Sequence, residues 1–390
     1  MVSVLIAPDK FKGSLSADEV ARALECGLLE GAPHARVSRL ALADGGEGSV
    51  AAACSGRFHR EEIVATGPTG KPLTTGVAVH GHTVLIEAAA VCGLGVLPGG
   101  HKAPLTATSQ GLGQAIRYAV AGGADTVVLA LGGVATTDGG AGLLQSLGAV
   151  LACEDGTPIG PGGRALAELH TVDLTDARAA LTGVDLVLAT DVDNPLLGPT
   201  GTAAVYGPQK GATADDARQL DDALAGFVRR LAAAGVPDAV PRAAAAGAGS
   251  AGGLGYAGML LGGRVCSGAD YFLSLLGADE LLAASDLVVT GEGSLDEQTL
   301  SGKLPVALAR RARAHGTPVH AVAGRCTLPA DRTALHFRSV QSLTDLTDED
   351  CANDRALSER LLTQCGRTLA DRWITGCAQE AAPADRLALP

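Results

Sequence analysis

The chain has 390 residues, 47% of them hydrophobic and 18% charged, a balance that fills buried cores and excludes a wholly disordered chain. At roughly 150 residues per domain, that length predicts about two or three domains. The formal charge of −12, from 30 basic against 42 acidic residues, repels polyphosphate backbones and anionic lipid surfaces, and 3% aromatic content offers few platforms for stacked bases.

In chain order, Val2 to Ala7 reads as a short apolar strand, followed by a Pro-Asp break. Ser16 and Glu19 then stand at capping-box spacing before the apolar stripe Val20, Ala23, Leu24 and Leu28. The amino terminus has neither a basic n-region nor an apolar run of signal-peptide length, which predicts a cytoplasmic chain. Residues 61 to 89 alternate as short strands around a Thr-Gly-Pro-Thr-Gly turn, where the chain is expected to leave one domain for another near Gly67. Continuous apolar runs recur at Thr126 to Leu131, Val184 to Thr190, Leu287 to Thr290 and Val319 to Ala323, as expected of parallel strands buried on both faces. Between them Leu220, Ala223, Leu224, Phe227, Val228 and Leu231 keep one helical face, with Thr213 as cap and Gly235 as stop. The uncharged run Ala243 to Gly263 has membrane-span length but is too rich in glycine, and reads as a loop entering a helix. Nine cysteines without a CxxC pair fit free thiols in a reducing compartment.

The class this predicts is α/β: two α/β domains with mostly parallel sheets and a cleft between them, the first discontinuous. Residues 1–66 and 284–390 form a Rossmann-like domain, and 67–283 an inserted one.

Only six residues are lysine, at 10, 12, 71, 102, 210 and 303. Lys10 and Lys12 fall between a strand and a helix amino terminus, where exposed N–H groups and the macrodipole favour anions. Asp9, Asp138, Asp191 and Glu292 each follow an apolar strand closely, which gathers carboxylates where crevices form in parallel sheets. Asp44 and Glu47 sit three apart among glycines. Three glycine-rich stretches look like phosphate cradles, beginning at Gly132-Gly133, at Gly207-Pro-Gln-Lys210-Gly211, and at Gly247 through Gly252. The last matches GxGxxG but lacks a preceding strand, and Ser-Gly-Lys at 301–303 lacks the first glycine of a P-loop. No histidine falls in these motifs, so histidine triads and histidine-ligated metals have no visible apparatus.

Ala-Pro-Asp-Lys-Phe-Lys-Gly-Ser, Ala-Asp-Gly-Gly-Glu-Gly, Gly-Gly-Val-Ala-Thr-Thr-Asp-Gly-Gly-Ala-Gly, Asp191-Val-Asp-Asn-Pro-Leu, Gly-Pro-Gln-Lys-Gly-Ala and Asp286-Leu-Val-Val-Thr-Gly-Glu-Gly together resemble, in order and spacing, the bacterial type I glycerate kinases. The resemblance runs from Val4 to about Gly324. It implies ATP-dependent phosphorylation of D-glycerate with Mg2+, 2-phosphoglycerate being favoured over 3-phosphoglycerate, by a cytoplasmic protein; a homodimer is the candidate assembly. Phosphoryl transfer is largely positioning plus electrostatic stabilisation. On chemistry and position, Lys12 is expected on the transferring phosphate or the substrate carboxylate, and Asp191 as base or metal ligand. Glu292 is a second metal candidate, and Asp9, Lys10, Asp44 and Glu47 shape the substrate end. Gly132, Gly133, Asp138, Gly207, Lys210, Gly211 and Gly252 are expected around the nucleotide. A binding protein closing on a small hydroxy acid, or a dehydrogenase, are the alternatives.

Overall fold

A computed structural model describes residues 1–11, 13–43, 45–300 and 303–375. Its strands are β1 (Ser3–Ile6), β2 (Arg36–Arg39), β3 (His59–Thr66), β4 (Pro72–His80), β5 (Thr83–Glu87), β6 (Thr126–Ala130), β7 (Val150–Ala152), β8 (Thr171–Asp173), β9 (Asp185–Ala189), β10 (Arg264–Cys266), β11 (Leu287–Leu295), β12 (Val319–Cys326) and β13 (Ser339–Ser342). The chain divides into two compact units, one of Met1–Ala43 with Phe272–Pro390, the other of Asp44–Tyr271.

In the first unit five strands run in the order β13-β12-β11-β1-β2, every pairing parallel. Val4, Leu5 and Ile6 are buried, which fits a strand covered on both faces. Helix Ala17–Gly31 begins at the expected capping box, Ser16 accepting from the Glu19 amide while Glu19 accepts from the Ser16 amide. It packs along helix Arg355–Ala370, and Leu24 and Leu28 share one core with Leu361, Leu362 and Leu369.

In the second unit the order is β10-β9-β6-β5-β4-β3, parallel from β10 to β5 and antiparallel from β5 to β3, with β7 and β8 as a separate antiparallel pair. Helix Ala214–Ala233 starts at a Thr213–Asp216 capping box and buries Leu220, Leu224, Phe227 and Leu231, the stripe legible in the sequence.

The unit boundaries differ from those expected at 66/67 and 283/284. Gly67 lies in the hairpin turn between β3 and β4, where its N–H donates to the Lys71 carbonyl at 2.7 Å. Because β3 pairs with β4 along its whole length, residues 44–66 belong with the second sheet. The alternating pattern of 61–89 marks a meander inside one unit, and the chain has already crossed before it begins. Among the described residues, no helix is long and apolar enough to cross a membrane.

Candidate functional site

In the first unit, the carboxyl ends of β1 and β11 carry the candidate groups. The Asp9 N–H donates to the Gly291 carbonyl at 2.8 Å, and the Thr290 hydroxyl donates to the Ala7 carbonyl at 2.8 Å, so the loop after β1 is stitched to β11. The Asp9 carboxylate accepts from the Lys10 N–H at 2.7 Å, and both residues are half-buried. Glu292, at 9% exposure, accepts from the Thr299 hydroxyl at 2.6 Å. Thr299 belongs to a turn in which Asp296 accepts the Gln298 N–H at 2.9 Å. Lys12 lies outside the described residues.

In the second unit, the carboxyl ends of β5, β6 and β9 lead to Glu87, Gly132 and Asp191. Asp191 is exposed; one carboxylate oxygen accepts from the Ser267 hydroxyl at 2.9 Å and the other from the Ala269 N–H at 3.1 Å. Two donors on a carboxylate hold its plane in one orientation. Glu87, at 6% exposure, accepts the Val50 N–H at 3.1 Å, in the first turn of the short helix Ser49–Cys54 that follows the Gly45–Gly48 loop. A Cβ on Gly132 would stand 2.6 Å from the Gly46 Cα, so only glycine lets that loop lie against the end of β6. Glu47 is exposed on the same loop, and Asp44 lies outside the described residues.

The three glycine-rich stretches do converge, on the segment Thr136–Gly140, but as a packed interior. Asp138 is fully buried and accepts from the Ser109 N–H and hydroxyl, both at 2.8 Å, and from the N–H groups of Gly140 at 3.0 Å and Gly142 at 3.3 Å. The Gly139 N–H donates to the Gly252 carbonyl at 2.9 Å. Gly252 has φ +72°, and a Cβ there would stand 2.0 Å from the Thr136 carbonyl oxygen, so no other residue fits. Lys210, on a single turn between Gly207 and Gly211, is 2% exposed. Its ammonium donates to the Thr136 carbonyl at 2.6 Å and to the Thr137 hydroxyl at 3.4 Å. Burial pulls its pKa down to about 8, against the opposing pull of the Asp138 carboxylate. Asp138, Lys210 and Gly252 are therefore held in contacts between loops inside the second unit. Gly133 lies near the Ala89 methyl.

Sequence reasoning missed Glu87, although the rule that found Asp9, Asp191 and Glu292 applies to it: an acid directly after an apolar strand. Ser109, Thr136 and Ser267 carry no signal in sequence, because their roles depend on which distant loop folds onto them. The GxGxxG stretch follows the helix Ala239–Ala243 with no strand before it, which removes the dinucleotide-binding context. Among the described residues no group of three or more His, Cys, Asp or Glu side chains could hold a metal ion.

The sequence model described as the glycerate kinase family matches residues 4–374. Of curated relatives, a glycerate kinase from Bacillus subtilis is 40% identical over 88% of this chain and 89% of its own. A glycerate 2-kinase from Escherichia coli is 38% identical over 84% of this chain and 86% of its own. A crystal structure titled as a putative glycerate kinase 2 from Salmonella typhimurium aligns with a TM-score of 0.82 at 35% identity, covering 97% of this chain and 99% of that one. With the family matched across nearly all of its length and relatives this similar, the chain belongs to the glycerate kinase family.

Proposed function

We propose that this protein is a type I glycerate kinase, which transfers the terminal phosphoryl group of ATP to the 2-hydroxyl of D-glycerate and releases ADP and 2-phosphoglycerate. The choice of hydroxyl is supported by the name of the relative from Escherichia coli. The reading is carried by one observation within a chain of this family. The carboxyl edge of the second sheet gathers the fixed carboxylate of Asp191 with two glycine loops whose backbones pack together, Gly45–Gly48 and Gly132–Gly133. Crevices at such edges are where parallel α/β sheets bind ligands.

In this reading Asp191, held by Ser267 and Ala269, orients the glycerate hydroxyl and takes its proton as the oxygen bonds to phosphorus. Lys12 meets the negative charge of the transferring group or the glycerate carboxylate, as a compact ammonium can. Asp9 and Lys10 of the first unit, and Asp44 and Glu47 of the second, are the candidates for contact with glycerate, and Gly132–Gly133 for contact with the nucleotide. A magnesium ion brought by a nucleotide keeps phosphate and water ligands and needs only one or two carboxylates, so the lack of a three-ligand cluster among the described residues suits it. Asp191, or Glu292 in its place, would supply that ligand, and the ion would neutralise phosphate charge. The eight described cysteines are all free, in keeping with a reducing, cytoplasmic setting.

Phosphorus NMR of the purified protein with ATP, Mg2+ and D-glycerate tests both parts of the proposal. Expected are equal amounts of ADP and 2-phosphoglycerate. A 3-phosphoglycerate resonance overturns the regiochemistry, and the absence of any phosphoglycerate overturns the activity.

A further inference from the structure

We infer that Lys210 is a positioning residue, whose buried ammonium fixes the Thr136–Gly142 segment and, through it, the Gly132–Gly133 loop of the proposed site. The inference rests on the reading of this protein as a kinase. Thr136 takes part in three hydrogen bonds. Its carbonyl accepts from Lys210 at 2.6 Å, its hydroxyl donates to the Ala107 carbonyl at 2.8 Å, and that same oxygen accepts the Asp138 N–H at 3.2 Å. Two residues on, Asp138 draws in Ser109, Gly140 and Gly142, and two residues before, the Val134 stretch pairs with Gly93. Moving the Thr136 carbonyl therefore moves the loop that begins at Gly132.

A methionine of similar length would fill the space that Lys210 occupies, and burying a charge is unfavourable unless it is fully paired. The groups facing the ammonium are the Asp138 carboxylate on the glycine loop and the Cys92 thiol at the end of helix Ala88–Cys92. Burial pushes that thiol far up, so it stays neutral and offers no countercharge. With a folded pKa of about 8 against the ordinary 10.5, the unfolded chain binds more protons between those values. Loss of the Lys210 proton therefore favours the folded state as pH rises through that window, while it weakens the hold on Thr136. Stability and turnover should diverge there. A residue that merely supports the fold would move both in the same direction.

Lys210→Met provides the test, read by turnover, melting temperature and amide hydrogen exchange of residues 132–142. We expect turnover at pH 7 to fall by up to about 100-fold, the loss that a misplaced loop causes. Exchange at 132–142 should quicken by about 10-fold, with a melting temperature within about 3 °C of the parent. The Michaelis constant for ATP should stay within about threefold. The parent should lose turnover between pH 8 and 10 with no fall in melting temperature, and the variant should lack that decline. Turnover within about twofold of the parent with unchanged exchange overturns the inference, as does a loss that tracks the unfolded fraction. A raised Michaelis constant for ATP with unchanged exchange would put the ammonium on the nucleotide and overturn it too. If the parent makes no phosphoglycerate, the kinase reading fails, and the exchange arm still decides whether Lys210 holds the loop.

Discussion

The two sheets end in different kinds of loop. In the first unit, Asp9 and Lys10 are half-buried on a loop tied to β11 by hydrogen bonds from Ala7, Asp9 and Thr290, and Glu292 accepts from the Thr299 hydroxyl. In the second, Asp138, Lys210 and Gly252 are knotted into an interior where backbone passes backbone at distances only glycine allows. Both kinds of loop look alike as text, since each is a short run of glycine with a charged residue. The comparison teaches that glycine beside a charge records a close approach without saying whether the thing approached is a ligand or another part of the chain.

The sharpest way to break this contrast is Gly252→Ala. A methyl group there meets the Thr136 carbonyl, and φ +72° is strained for any other residue. The expected loss is about 3–5 kcal/mol, read as a lowered urea midpoint by circular dichroism. A loss under about 1 kcal/mol would mean that the glycine loops of the second unit are open after all. Next is Asp191→Asn, which keeps shape and removes charge. Turnover should drop about 30- to 1000-fold, equivalent to about 2–4 kcal/mol of barrier, in a protein that melts normally. Near-normal turnover would remove Asp191 from the reaction and transfer the role to Glu292, for which Glu292→Gln is the matching variant.

A third measurement separates the units by pH. His320 on β12 is fully buried, with Nδ1 2.7 Å from the Ser339 hydroxyl and its ring 4.7 Å from that of Trp373. Its Nε2 has no hydrogen-bond partner among the described residues. Burial, and secondarily the Arg338 guanidinium, hold its pKa down to about 4. Unfolded, this histidine takes a proton near 6.5, so the stability it contributes is present above that pH and is lost as pH falls towards 4. The first unit should weaken by up to about 3 kcal/mol over that window. Trp373 is the only tryptophan, so its fluorescence follows this unit alone. His320→Gln, which cannot titrate, should flatten the dependence, and an equally steep curve in that variant would sink the account. The smallest effects are the two capping boxes. Ser16→Ala in the first unit and Thr213→Ala in the second should each cost about 1 kcal/mol in urea titrations, whatever their surroundings.

What sequence made legible follows the same physics. Strands β1, β6, β9, β11 and β12 were readable because burial on both faces forces an unbroken apolar run. Both capping boxes were readable because their spacing is local. Strand β2, Arg-Val-Ser-Arg, was not, being a polar edge held by its pairing with β1. At the site, the positions of Asp191 and Glu292 followed from strand ends. The burial of Lys210 and Asp138 was not legible, because nothing near them in the chain tells that Thr136, more than seventy residues before Lys210, covers the ammonium.

The split of the first unit also sets a timetable for the ribosome. Strands β1 and β2 emerge first, yet β11, the partner of β1, and the helix that packs on Ala17–Gly31 are both encoded after the whole second unit. At about 5–20 residues per second, the opening segment waits on the order of ten seconds or more for its neighbours. During that time the β11-facing edge of β1 and the face of the first helix that meets the late helix have no native cover. Nascent chains stalled after residue 271 should accordingly hold a finished second unit beside an unsatisfied leader that chaperones can recognise.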